Sequence, residues 1–176
     1  MAATIYTGAG HVTDADYRYV KWVGRTKGGQ AVQIELENAF CISNPDWKFE
    51  EKNDTTPEVE FEGCYTDEQL AADNLTEPWK ITMPEGVTAG NGEIVLGVGK
   101  FYIGKTSQDA KVVGLTRGGG SFIVEREFRE INADDDPGKV KGRVEKSTGR
   151  PKLKMTVLQW LSKTSELYSC ITTATA

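Results

Sequence analysis

A chain of 176 residues with 38% apolar and 27% charged side chains is long enough to bury a core, and it has no apolar run near the roughly 18–20 residues that cross a bilayer as a helix. Three cysteines, an odd number without CxxC spacing, argue against a disulfide framework and a zinc site, and the first residues lack the basic and apolar regions of a secretory leader, so synthesis in a cytoplasm is expected. The net charge of −5 divides unevenly: residues 1–88 carry 16 acidic and 7 basic side chains and residues 89–176 carry 10 and 14, a polarity that suits contact between copies.

Along the chain, two glycine motifs occur twice. Ile5-Tyr6-Thr7-Gly8-Ala9-Gly10 is echoed by Ile94-Val95-Leu96-Gly97-Val98-Gly99, and Val23-Gly24-Arg25-Thr26-Lys27-Gly28-Gly29 by Val113-Gly114-Leu115-Thr116-Arg117-Gly118-Gly119. The recurrence predicts two related β units, 4–82 and 83–168, in one domain spanning 1–176. In the first unit Val32, Ile34 and Leu36 alternate with Gln33, Glu35 and Glu37, and Val59 and Phe61 with Glu58, Glu60 and Glu62, each a strand with one dry and one wet face. Thr66 followed three residues later by Gln69 forms a capping box and predicts one short helix ending near Asn74. Residues 75–92, with Pro78, Pro84, Gly86 and Gly90, read as the connection between units.

The second unit begins with a strand over 93–103 that contains Gly97 and Gly99. Within it, Gly99 to Thr106 matches the spacing GxxxxGK[ST], but Lys100, Phe101, Tyr102 and Ile103 are strand residues and no helical pattern follows, so a phosphate loop is rejected. Strands are predicted over 121–128, 139–145 and 152–157, with turns at 27–29, 118–120 and 137–138. Asn132-Ala133-Asp134-Asp135-Asp136 lacks the glycine and the terminal carboxylate of a calcium loop. Residues 169–176, small and threonine-rich, read as a loose tail. A lone histidine, His11, leaves no catalytic pairing to nominate, and no catalytic residue, metal or cofactor is assigned.

The acidic faces of Glu35 and Glu37 and of Glu58, Glu60 and Glu62 have two readings: solvated strand edges, or the lining of a negative bore that repels nucleic-acid phosphates. Arg143, Lys146, Arg150, Lys152 and Lys154 lack interleaved aromatic platforms; Arg143, Lys146, Lys152 and Lys154 are taken as candidates for meeting an acidic neighbouring subunit.

Two sets of motifs resemble the tail tube, or major tail, proteins of tailed bacteriophages. In the second unit these are Gly97-Val98-Gly99-Lys100-Phe101-Tyr102-Ile103-Gly104, Val113 to Phe122, Val140-Lys141-Gly142 and Lys152 to Val157. In the first they are Asp16-Tyr17, Val23 to Gly29, Asn38-Ala39-Phe40, Val59 to Gly63 and Glu77 to Ile81. The resemblance implies a mainly β subunit, a β-sandwich or half-open barrel with one short α-helix. Six such subunits would form a ring, and rings would stack into a tube that conducts double-stranded DNA without binding it. Implied partners are the chain itself, a tape-measure protein, tail-completion proteins and a sheath protein, with no membrane. The expected location is the virion tail, assembled in the host bacterial cytoplasm. Glu35, Glu37, Glu58, Glu60 and Glu62 become candidates for the lumen, and the loop from Phe40 to Thr56, with Pro45, Trp47 and Asn53, a candidate inter-ring arm.

The two halves stand in the reverse of the order expected for such proteins, so the resemblance implies a circular permutant, which requires chain ends that lie close together. The alternatives are a type VI secretion-like tube and a monomeric β-sandwich carbohydrate-binding module using Trp22, Trp47, Trp79 and Trp160 as stacking platforms.

Overall fold

The computed structural model describes residues 4–46, 56–72, 75–85, 95–114, 116–131, 140–158 and 167–175. Strands predominate among the described residues, beside one short α-helix and one turn of 3-10 helix at Asp14–Asp16, which makes the class mainly β. The strands are β1 (Thr4–Gly8), β2 (Tyr17–Thr26), β3 (Ala31–Cys41), β4 (Glu58–Gly63), β5 (Trp79–Thr82), β6 (Val95–Gly104), β7 (Lys111–Val112), β8 (Thr116–Glu130), β9 (Val144–Val157) and β10 (Ile171–Thr175). Eight of them form one antiparallel sheet in the order β7-β6-β2-β3-β4-β9-β8, with β5 also on β3, curled into a half-barrel. β1 and β10 form a separate two-stranded ribbon.

Alternation in the sequence builds the core. In β9, Pro151, Leu153, Met155 and Val157 are buried while Lys152, Lys154 and Thr156 are half-buried on the opposite face. β4 and β3 add Val59, Phe61, Leu36 and Ala39, and β2 adds Val20, all fully buried. Each large apolar side chain withdrawn in this way contributes about 1.5–3 kcal/mol.

Glycines shape the curl at the other end. Gly24 of β2 lies opposite Gly99 of β6, and the indole of Trp22 occupies the space a Cβ on either would need. Beyond this pair the register shifts, Arg25 opposing Leu96, so that Gly97 and Val98 form a bulge. A second bulge lies in β3, where Val20 opposes Leu36 but Arg18 opposes Ala39. Asn38, at φ 49°, takes the left-handed conformation that asparagine tolerates better than most residues. There β3 changes its outer neighbour, pairing with β5 through Leu36 and with β4 from Ala39. The Glu37 amide donates to the Pro78 carbonyl and the Cys64 amide to the Asn38 carbonyl, both at 3.2 Å.

Strands of the two sequence units interleave in one sheet, with β2, β3 and β4 in its middle flanked on both sides by strands of the second half. Three expectations change. The echoed glycines take different work: Gly29 (φ 83°) closes the β2–β3 turn, whereas Gly119 (φ 81°) lies in the irregular stretch of β8 between Thr116 and Gly120. The strands expected at 139–145 and 152–157 are replaced by one strand, β9, preceded by a turn at Lys141 and Gly142. Pro151 is tolerated within it because the Val157 amide points toward the β4 side, donating to the Pro57 carbonyl. Alternation gives position 151 the same direction, beyond the last β4 pair at Lys152. The residues 169–176 expected to be a loose tail include β10, whose partner β1 lies at the other end of the chain, and Tyr168 just before it is buried in the core. The helix, Asp67–Ala71, carries the expected Thr66–Gln69 capping box but ends before Asn74.

Candidate assembly surface

The five candidate lumen carboxylates fall into two groups, and each group lies among cations of its own chain. Glu60 pairs in register with Lys154 and Glu62 with Lys152. Across these strands Lys154 Nζ lies 2.5 Å from Glu58, and Lys152 Nζ lies 2.9 Å from Glu125 and 3.9 Å from Glu60. The hydrogen bonds to Glu125 and Glu58 raise the Lys152 and Lys154 ammoniums above their usual range. Glu35 stands opposite Lys21 on one side and Lys80 on the other, and it accepts the Tyr19 hydroxyl. Burial, then that bond, pushes the Tyr19 phenol far up. Lys21 also lies over the Tyr19 and Tyr102 rings, 5.9 and 5.5 Å from their centres. Glu37 is exposed in the β3 bulge. The outer face is therefore charge-alternating, and the acidic neighbours of Lys152 and Lys154 belong to the same chain.

Lys146 likewise finds its carboxylate within the chain, on a residue the sequence reading passed over. Glu77, whose side chain is only 10% exposed, accepts from Lys146 Nζ at 2.6 Å, from Arg126 Nη2 at 3.1 Å and from Nε1 of Trp79. Burial alone would raise its pKa, but these three donors and the Lys146 charge outweigh burial and hold it at about 2. Gly149 makes the approach possible, since a Cβ there would come within 2.8 Å of Glu77 Oε1. The clamp fastens the segment before β5 to the β8–β9 hairpin. Arg143 lies in the turn entering β9, its amide donating to the Val140 carbonyl at 3.1 Å.

Among the described residues the sheet leaves its edges open: β8 runs for 15 residues and pairs with a described strand along one side only, with β9. Among the described residues, β6 is covered on this side by β7 at Tyr102 and Ile103 and by the Val113 amide, which donates to the Phe101 carbonyl at 2.9 Å. These two strands carry exposed apolar side chains: Val98 is 83% exposed, Phe128 62% and Ile123 52%. Between β6 and β8 the half-barrel has an apolar cleft of about 170 Å³ lined by Trp22, Ile34, Phe101, Phe122 and Leu153. A Cβ on Gly120 would stand 2.6 Å from the Phe101 ring.

No family model, curated protein or solved structure matches this chain. The feature with the clearest physical consequence is the side of β8 that no described strand covers, because a long strand edge of this kind is a template for another strand.

Other candidate positions are less committed. Pro45 is exposed beyond β3, while Trp47 and Asn53, the rest of the proposed inter-ring loop, lie outside the described residues. Trp22 rests on its glycine bed, and Trp79 packs on Phe122 (ring centres 5.6 Å apart) beneath Arg126. Trp160 is outside the described residues. The amides of Lys105 and Thr106, which a phosphate loop would turn to its ligand, donate instead to the Asp109 carboxylate at 3.3 and 2.6 Å.

Proposed function

We propose that this chain is a structural subunit of a tail tube, of the kind built by tailed bacteriophages and phage-like particles, in which copies join through open sheet edges into rings and the rings stack into a tube. The observation that carries the reading is the 15-residue open edge of β8 on a half-barrel. A half-barrel with open edges is unfinished as a monomer and complete when a neighbour supplies the next strand. Six copies per ring, a tape-measure protein, tail-completion proteins and a sheath as partners, and residence in the virion tail after assembly in the bacterial cytoplasm follow from the sequence resemblance. The antiparallel pairing of Thr4 with Thr175 supports the circular permutation, since it brings the two ends of the chain side by side.

The charge-alternating outer face suits a DNA conduit in a modified way. It is less negative than five carboxylates alone suggest, but Lys152 and Lys154 are held by Glu125 and Glu58, so they offer little free cationic charge to phosphates. Sedimentation velocity with a β8 edge variant tests the assembly step. The β8–β9 register and amide alternation point the Val124 amide away from β9. Val124→Pro should therefore leave the fold intact and abolish concentration-dependent assembly; assembly equal to wild type would reject the edge contact.

A further inference from the structure

The β1–β10 ribbon is the least supported part of the described structure and the least protected. It forms a sheet of its own, and a two-stranded sheet is marginal in water without a third strand or a packed face. Its hold on the body is at one end. The Ala9 amide donates to the Cys170 carbonyl at 2.7 Å, and the Cys170 amide to Oδ1 of Asp16 at 2.5 Å. Ser169 Oγ donates to the Asp16 carbonyl at 3.4 Å and accepts the Cys41 amide at 3.0 Å. Thr13 supplies its amide and hydroxyl to the other oxygen of the buried Asp16 carboxylate, at 2.7 and 3.1 Å. Ile171, the first residue of β10, still packs partly on the core; beyond it the strands run outward, with Ile5 46% exposed.

Natural edge strands are commonly guarded by charge, proline or a bulge. Here Thr4-Ile5-Tyr6-Thr7-Gly8 and Ile171-Thr172-Thr173-Ala174-Thr175 contain no charged residue and no proline, and the register runs unbroken through five pairs. A hydroxyl contact of 2.7 Å between Thr7 and Thr172 braces the ribbon from within. The Ala9 amide donates to the Cys170 carbonyl, so the Ile171 amide of the same planar peptide points away from β1; alternation turns the Thr173 amide the same way, and the Gly8 amide outward on the opposite, β1 side. Neither outer side pairs with a described strand.

We infer that this ribbon is a docking arm whose partner is the open edge of β8 in a second copy of the chain. The segment 118–124 of β8, Gly-Gly-Gly-Ser-Phe-Ile-Val, is uncharged and longer than the five-residue ribbon strands. It is the matching stretch of the longest unpaired edge in the described residues. Strand addition there would satisfy both sets of unpaired groups at once. The inference rests on the self-assembling subunit reading and names the segment that makes the contact.

Amide hydrogen exchange on wild type and Thr173→Pro, each below and above the assembly concentration, tests it. Thr173→Pro deletes one outward donor and no bond within the ribbon. Assembled wild type should protect Ile171 and Thr173, on the β10 side of the ribbon, together with Phe122 and Val124 at least ten-fold over the monomer, and leave Gly8, on the β1 side, unchanged. Thr173→Pro should melt like wild type yet require at least ten-fold higher concentration to assemble. Thr172→Val, which removes a hydroxyl but no outward amide, should assemble normally, separating loss of docking from a damaged ribbon. Assembly of Thr173→Pro at the wild-type concentration, or assembled protein protected along β8 but not along the ribbon, would overturn the arm while leaving the subunit reading standing. Wild type that never assembles would overturn both.

Discussion

At the scale of single residues, the echoed glycines matter through what leans on them. Gly24 and Gly99 face each other and receive the Trp22 ring, so the space a methyl would fill is taken. Gly99→Ala should cost about 1–3 kcal/mol by overpacking, whereas Gly97→Ala, with nothing within 4 Å of the added methyl, should change stability little. Thermal melts of the two variants check this, and equal melting temperatures would remove Trp22 as the reason for the glycine. The repeat was visible in the sequence, but its use was not, because one glycine of the opposing pair comes from each half of the chain. The joining roles of Asp16 and Glu77 were hidden: Thr13 and Trp79 are local donors to them, but the donors that tie them to other elements, Cys170, Arg126 and Lys146, are 49 or more residues away.

At the scale of elements, strands β3, β4 and the second half of β9 were legible because each has one face in the core and one in water, and the capping box marked the helix. Continuity through Gly149 and Pro151 was not legible, because whether a proline breaks a strand depends on where the neighbouring ladder ends. β10 was hidden for a related reason: its partner is the first strand of the chain. The Glu77 clamp between elements gives a pH prediction. Its folded pKa of about 2 lies below the ordinary glutamate value of 4.5, so it stabilises fully above the unfolded value and is lost as pH falls from about 4.5 through 2. Allowing for solvent screening at Arg126, which is 42% exposed, the loss should be about 1–2 kcal/mol. Denaturant titrations at pH 6 and pH 3 should show a smaller acid-induced loss in Glu77→Gln than in wild type; identical losses would mean that the clamp carries none of it.

At the scale of the whole molecule, charge changed its meaning once the strands were paired. The acidic first half and basic second half looked like two surfaces for two neighbours, yet β4 and β9 meet inside one subunit and much of that complementarity is spent there. On the proposed reading, a neighbour is met by main-chain hydrogen bonding along β8 and the uncharged terminal ribbon. Neither is conspicuous in a sequence, where an edge strand and a central strand share the same alternation. The central claim, that the half-barrel is completed by copies of itself, is tested most directly by negative-stain electron microscopy of the purified chain over a concentration series. Rings or hollow tubes on the order of 100 Å across, as six domains of this size would give, are the predicted result. A field of monomers at every concentration would contradict it.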